Sequence, residues 1–498
     1  MSLKHNILAN YASQFYVTLI GIVMVPIHVR YMGAEAYGLV GFYAMLQAWF
    51  QVLDMGLTPT MTRETARFRG GACDAMSLRL LLRSMEGIFI GVAALGSVVI
   101  IALSAVIADG WLNAQHLRSD ELQQAIALMA LVVALRWISG MYRGAISGFE
   151  RLVWLGGFNV GVATARFVLV IPFFLVVGTG PVDFFLYQLG VSILEIVVLV
   201  LKTYRLLPKL DRGQRVAWRW EPLRGVLGFS LSIAFTSLVW IMVTQTDKLL
   251  LSKLLSLKEY AYFTLAVMLA NGVIMVSAPI NGAVLPRLNE LASRTDDEEF
   301  YNFYRWGTQL VALIALPAAA VLAAFAEKIM WIWTGNQEIA QHAAPVLMLY
   351  AMGNGLFAIS SFSAHLQVAK GDLRLHVIGN VLFLVLQIPT LVWSTANYGV
   401  VGAGYSWFFM NVIYLLFWVP KVHRRFQYGL HHAWFKIDVA GILLFSIAGS
   451  VAVRLLLTWS EDRILAGAQL MMVCTAIFFT ATAGSPVARH KLRNALHL

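Results

Sequence analysis

Three ionisable residues lie deep inside long apolar stretches of this sequence: Arg136, Arg166 and Glu195. A charge at the centre of a bilayer costs at least about 2.5 to 3.5 kcal/mol, so each must face a wet cavity or another charge. Spacing gives each one polar company on its own helical face. Gly140 and Arg143 follow Arg136 at i+4 and i+7, Asn159 precedes Arg166 by seven residues, and Gln188 and Ser192 precede Glu195 by seven and three. Three consecutive segments therefore carry polar side chains at similar depth. One reading is a lock of Arg136, Glu195 and Arg166 that satisfies itself internally. The other is a water-filled lumen whose excess positive charge attracts an anion.

A second set follows the same logic. Ser230, Ser237, Thr244 and Lys248 share one helical face, which ends in the Asp247-Lys248 pair. The first apolar segment runs in like manner through Asn10, Gln14 and Gly21 to Arg30. Lys248 and Arg30 are then cations on two corresponding helices, able to give charge-assisted hydrogen bonds to a phosphate group. The plainer alternative is snorkelling of a long side chain to the interface. Asn159, Asn271, the Asn354/Ser361/His365 stripe and the Asn380/Gln387 stripe are expected to line the same lumen, although an amide in a membrane more often bonds a neighbouring helix. Glu195, Asp54 and Asp247 are the acids expected to couple charge to movement.

Other chemistry is missing. There is no G-x-x-x-x-G-K-[ST] and no Gly-Lys dipeptide, which excludes nucleotide hydrolysis by the usual phosphate loop. HExxH and G-x-S-x-G are absent too, and Cys73 and Cys474 have neither disulfide-framework nor metal-ligand spacing. No cofactor, no metal and no enzymatic activity are expected. The longest expected outer loop, Ala108 to Glu121, is too small to house the active-site domain of a membrane glycosyl polymerase or ligase.

The elements that position these residues are helices that cross a membrane. Of 498 residues, 59% are hydrophobic and 13% charged, with mean hydropathy +0.72, whereas soluble domains carry about 25% charged residues. Apolar windows of about 20 residues recur about fourteen times, so the expected fold class is an all-α polytopic membrane protein. The net charge of +11 is dispersed between those windows, which points to membrane lipid and not to nucleic acid as the partner. With both termini cytoplasmic, most of the 37 Lys and Arg fall on the cytoplasmic side, notably in Arg63 to Arg83, Lys202 to Arg224 and Lys421 to Lys436. The amino-terminal stretch reads as an uncleaved first helix. Pro26, Pro172, Pro279, Pro317 and Pro389 fall inside expected spans, where they kink a helix or serve as a hinge.

At an offset of about 223 the first half lies over the second, pairing Ala34-Glu35-Ala36-Tyr37-Gly38-Leu39 with Leu257-Lys258-Glu259-Tyr260-Ala261-Tyr262. Six spans per repeat is an even number, so two six-helix lobes related by a pseudo-twofold axis along the membrane normal are expected. The expected domains are an N-lobe (1–205), a basic cytoplasmic linker (206–224), a C-lobe (225–420), a second linker (421–436), and two additional helices with a cytoplasmic tail (437–498).

Several motifs carry a resemblance. Val29-Arg30-Tyr31-Met32-Gly33-Ala34-Glu35-Ala36-Tyr37-Gly38-Leu39, then Asp54-Met55-Gly56-Leu57 and Thr62-Arg63-Glu64, resemble the first two helices of the polysaccharide-transporter flippases, the Wzx-type O-antigen exporters of the MOP superfamily. Thr246-Asp247-Lys248-Leu249-Leu250-Leu251 with Tyr260 and Tyr262-Phe263-Thr264-Leu265-Ala266 looks like that family's seventh helix and the start of its eighth, and Tyr398-Gly399 with Val401-Gly402-Ala403-Gly404 like its turn before helix twelve. The resemblance implies two six-helix lobes around a cavity. It also implies translocation of undecaprenyl-pyrophosphate-linked oligosaccharide from the cytoplasmic to the periplasmic leaflet of the bacterial inner membrane by alternating access, driven by an ion gradient or the membrane potential, alongside a polysaccharide polymerase and chain-length regulator. The additional pair resembles that of the lipid II flippase, whose last two helices form a groove for the lipid tail. The rival within the same superfamily, a cation-coupled multidrug exporter, calls for unpaired carboxylates in the lumen; the first helix has none, and the seventh offers only Asp247 beside Lys248.

Overall fold

The structure is a computed structural model that describes residues 3–209, 217–218, 220–224, 227–294, 297–486 and 489. All its regular elements among those residues are helical. Fifteen helices carry the argument: α1 (Leu3–Met32), α2 (Ala34–Phe50), α3 (Leu57–Arg69), α4 (Ala75–Ala102), α5 (Ser119–Gly148), α6 (Leu152–Phe167), α7 (Pro181–Leu206), α8 (Leu227–Leu254), α9 (Leu257–Ala270), α10 (Gly272–Ala292), α11 (Asp297–Ala324), α12 (Gln337–Ala369), α13 (Arg374–Ile413), α14 (Gly441–Leu456) and α15 (Arg463–Ala483).

Eleven stretches of the described residues are long and apolar enough to cross a membrane. The fourteen expected spans are reconciled with these by three local features. Spans eleven and twelve share one stretch, Arg374–Phe426, folded back at Gly399, whose φ of 56° is open to glycine. The second span tightens after the 17-residue α2 into a 3-10 turn, Gln51–Asp54, and then breaks at Met55 (φ 46°) and Gly56 (φ 73°), beyond which α3 starts afresh. The seventh corresponds to α8. The fifth span is also broken, since Pro172 lies in a separate short helix, Val170–Val176, after α6 ends; Pro26, Pro279 and Pro317 lie inside continuous helices, and Pro389 lies in the part of α13 that precedes the Gly399 fold. Polar side chains set several helix starts: Asp74 accepts the Ser77 amide before α4, Asn336 that of Ile339 before α12, and Asp462 those of Ile464 and Leu465 before α15. The Ser77 hydrogen bonds hold the Asp74 carboxyl below its ordinary value.

The chain forms two compact units, 1–261 and 262–498. The first is built around α5, which packs on α3, α4 and α7. Its glycines admit α3 closely: a Cβ on Gly148 would stand 2.5 Å from the Thr62 carbonyl oxygen, so only a hydrogen fits there. α8 belongs to this unit through α2 and α3, with the Thr60 and Ser230 hydroxyls 2.7 Å apart in a buried contact.

The second unit is built around α11 and α12. The two carboxy-terminal helices dock on α11, and polar bonds fix the docking. Asp438, fully buried, accepts from Arg305 Nε at 2.7 Å and from Gln309 Nε2 at 2.6 Å. Trp434 donates its indole N–H to Thr308 (3.0 Å), and Ser485 donates to Gln309 Oε1 (3.2 Å). α14 and α15 then meet backbone to backbone at Gly441 and Gly484. Removing one partner of a buried ion pair costs about 3–5 kcal/mol, because the other charge stays behind without compensation. Asp438→Ala is therefore expected to lower the melting temperature of the purified protein by several degrees, and Asp438→Leu combined with Arg305→Met to restore most of it. Unchanged melting of Asp438→Ala, followed by size-exclusion chromatography after heating, would show that this pair does not anchor α14.

Candidate functional site

The buried charges of the first unit meet on one carboxylate. Glu195, on α7, accepts from Arg143 Nη2 of α5 at 2.5 Å on one oxygen and from Arg166 Nη2 of α6 at 2.7 Å on the other. Arg166 completes its fan with Gln188 Oε1 and Ser192 Oγ, each at 2.9 Å, and Gln188 returns a bond to the Arg166 carbonyl at 3.1 Å. Arg143 also donates to Asn159 Oδ1 and lies over the Phe158 ring. Arg166 and Glu195 are each 4% exposed, whereas the Arg143 side chain is 27% exposed and so is the member that reaches open space.

Arg136 is placed differently from the sequence expectation. Its guanidinium gives 2.9 Å bonds to Tyr43 Oη and Gln47 Oε1 of α2, and Arg143, two turns further along the same face, takes the place opposite Glu195. Spacing along α5 gave the face, but the height of α7 beside it decided which arginine meets the acid. Two guanidiniums hold the one carboxylate and Arg136 stands apart from it on neutral partners, so Arg136, Arg143 and Arg166 against Glu195 leave a formal +2. Tyr43 and Gln47 had no signal in the sequence beyond being polar atoms on an apolar helix.

The second set is more dispersed. Lys248 Nζ donates to the Thr244 carbonyl (2.5 Å) and to Asp247 Oδ1 (3.2 Å), and its side chain is 20% exposed; Asp247 is buried. The Thr244 hydroxyl returns to the Trp240 carbonyl. Arg30 is exposed at the end of α1, Gln14 is exposed, and Asn10 is partly exposed, its carbonyl accepting the Ser13 hydroxyl. α1 is instead tied to α6 by residues not singled out in the sequence, through His28 Nε2 and the Phe167 carbonyl (2.8 Å) and through Tyr16 and Thr164 (2.8 Å). Asp54 accepts the Thr58 hydroxyl at 2.6 Å and the Thr58 amide at 3.3 Å, and so caps α3 after the Met55-Gly56 break.

Within the second unit, Asn354 accepts the Trp407 indole N–H at 2.9 Å and donates to Asn271 Oδ1 at 3.2 Å, which makes both interhelical bonds. Asn380 bonds His376 on its own helix (3.2 Å), His365 lies against Phe362, and Gln387 is buried. Among the described residues no three His, Cys, Asp or Glu side chains are grouped to hold a metal.

Comparison with known proteins bears on what such a site serves. A family model described as "Polysaccharide biosynthesis protein" matches residues 3–292, and one described as "Lipid II flippase MurJ" matches residues 181–473. A Shigella flexneri protein named "Putative O-antigen transporter" is 21% identical over 413 residues, covering 82% of this chain and 94% of its own length. Among solved structures, the lipid II flippase MurJ in an inward closed conformation superposes with TM-score 0.72 at 11% identity, covering 98% of this chain and 99% of that one. A multidrug resistance MATE family transporter of the MOP superfamily, inward-facing, gives TM-score 0.67 at 15% identity, with 82% and 96% covered. The fold is thus that of MurJ and the MATE transporters.

The geometry separates two roles for the charges. Glu195→Ala leaves two guanidiniums in the interior without their acid, at a cost of about 3–5 kcal/mol, and is expected to reduce inserted protein severalfold. Arg136→Gln loses only bonds to neutral partners and is expected to leave protein level near wild type. Immunoblots of the membrane fraction decide this; equal levels for Glu195→Ala and wild type would show that the cluster is dispensable for folding.

Proposed function

The chain belongs to the polysaccharide biosynthesis family of the MOP superfamily, a multi-pass membrane transporter and not an enzyme, and from that premise we propose its cargo and its route. The cargo is an undecaprenyl-pyrophosphate-linked oligosaccharide repeat unit, moved from the cytoplasmic to the periplasmic leaflet of a bacterial inner membrane. Movement is by alternating access between an N-lobe and a C-lobe, coupled to an ion gradient or the membrane potential, with both termini cytoplasmic. Contact with a polysaccharide polymerase and a chain-length regulator belongs to the same reading.

The observation that carries it is the local +2 excess of the group formed by Arg136, Arg143, Arg166 and Glu195. A pyrophosphate must cross a slab of low dielectric, and guanidiniums already desolvated by the protein can meet it with strong charge-assisted bonds. Arg143, half in and half out of the cluster, is the group best placed to make that exchange. Lys248 and Arg30 are proposed to bind the same anion from the first helix of each lobe. α14 and α15, whose outward faces include Leu444, Leu455, Met471 and Phe479, are proposed to guide the polyprenyl tail.

The same geometry speaks against the multidrug reading. A cationic drug needs a carboxylate ready to receive it, yet Glu195 is held by two arginines, Asp54 caps a helix and Asp247 is buried beside Lys248.

In a strain lacking this chain, single lipid-linked repeat units should collect at the inner leaflet; accumulation of a drug with normal surface polysaccharide would overturn the proposal. Lys248→Ala should abolish surface polysaccharide while the protein remains inserted. Normal export by that variant would remove Lys248 from the site.

A further inference from the structure

The connection between α4 and α5 is not slack. Its groups are shared among two other parts of the first unit. The Glu35 carboxylate, in the first turn of α2, accepts the backbone N–H groups of Gln115 and, at 3.1 Å, of His116. Asn113 donates its amide to the Lys253 carbonyl (2.8 Å) and accepts the Leu257 N–H on its own carbonyl (2.9 Å). The Trp111 indole N–H reaches the Ser252 hydroxyl (3.0 Å), and the Lys253 ammonium lies 4.9 Å from the centre of the Trp111 ring. One loop therefore ties the start of α2 to the turn between α8 and α9. Gly38 packs so closely on the Leu257 carbonyl that a side chain there would collide with it.

Beside these anchors lies an open cavity of about 360 Å³, whose polar wall comes from the exposed Asp109, Asn113, Gln115 and Ser119 and the half-buried Ser256, with Leu112 among its apolar members. This volume is at the small end of ligand pockets, about 300–1,000 Å³, and has room for one or two sugar rings. Its chemistry is one carboxylate, two carboxamides and two hydroxyls, with no cation on the wall. Asp109 accepts the Ser119 hydroxyl and the Ser256 hydroxyl donates to Glu259 at 2.9 Å, while the exposed Gln115 carboxamide makes no hydrogen bond among the described residues. A phosphate would meet Asp109 as a like charge, and a hydrocarbon tail would strand the amides without partners. A neutral ring carrying several hydroxyls satisfies both, donating to the carboxylate and to the Asn113 and Gln115 carboxamide oxygens and accepting from the Gln115 amide, the Asn113 amide being held by Lys253.

We propose that this cavity is a saccharide site, separate from the charge cluster of α5, α6 and α7. Because its wall combines the loop before α5 with Ser256 of the α8–α9 turn, a sugar seated there bridges the junction that the Asn113 and Trp111 bonds close. Its physiological meaning rests on the flippase reading and on the orientation proposed above, which puts the loop on the outer side and makes the occupant the sugar portion of the cargo as it emerges.

Saturation-transfer NMR on the purified full chain in nanodiscs tests the site without any transport. The probes are the methyl glycosides of glucose, galactose, rhamnose and N-acetylglucosamine. Transfer to ring protons is expected for at least one glycoside, weakened at least fivefold in Gln115→Ala and in Asp109→Asn. Gln115→Ala removes no internal bond, and its thermal melting should match wild type, which keeps the comparison clean. No transfer to any glycoside, or transfer equal in wild type and both variants, overturns the proposal. Sugar binding that follows these variants in a protein whose deletion leaves lipid-linked repeat units unaltered would sink the flippase reading and leave the site standing.

Discussion

Inside a bilayer a guanidinium cannot be left to water, so something in the protein has to meet it, and in the first unit that duty falls on Glu195. Its two oxygens take different arginines from different helices, so the rotation of α5, of α6 and of α7 about their own axes is fixed together. If α7 turned by one residue, Arg166 would lose Gln188, Ser192 and Glu195 at once, since all three lie on one face. The apolar contacts between these helices are without such direction. Hydrocarbon side chains pack almost as well against lipid as against one another, so close packing and polar bonds, and not burial alone, decide which faces touch.

The second unit solves its own problem by a similar device. Arg305 on α11 meets Asp438 at the start of the carboxy-terminal pair, and the neighbouring Gln309, Thr308 and Trp434 saturate what remains. In each unit an arginine on a central helix reaches an acid on a helix later in the chain. The difference lies in the count. Arg305 and Asp438 balance, which suits a joint that only has to hold, whereas the cluster on Glu195 keeps more cations than it neutralises.

Much of this was legible in the residues. Long apolar windows gave the helices, and arginine or glutamate in the middle of a window gave the places where the interior had to be polar. What spacing could not give was relative height. Arg136 and Arg143 lie on one face of α5, and nothing within α5 says which is level with Glu195; only the packed partners do, Glu195 of α7 for Arg143 and Tyr43 and Gln47 of α2 for Arg136. Asp54, one of the acids expected to couple charge to movement, also accepts the Thr58 hydroxyl and amide at the helix start that follows the Met55-Gly56 break, a bond that no spacing announces. For the loop from Ala108 to Glu121 the sequence offers only a length. Its bonds to Glu35, Lys253 and Leu257 join residues far apart in the chain, and such contacts leave no local pattern to read.

An excess of positive charge in a membrane interior is costly, and the structure keeps that cost tolerable by surrounding each guanidinium with oxygen. Arg136 has a phenol and a carboxamide, Arg166 a carboxamide, a hydroxyl and a carboxylate, and Arg143 a carboxamide and a carboxylate. Only one of these oxygen-bearing partners is charged, so what the neutral ones supply is solvation and not neutralisation. A dianionic head group would add the missing neutralisation while the neutral partners stay in place, and the cluster need not unfold to receive it. On the proposed reading the site is poised because its folding requirement and its charge requirement are met by different groups: Glu195 answers the first, and the cargo answers the second.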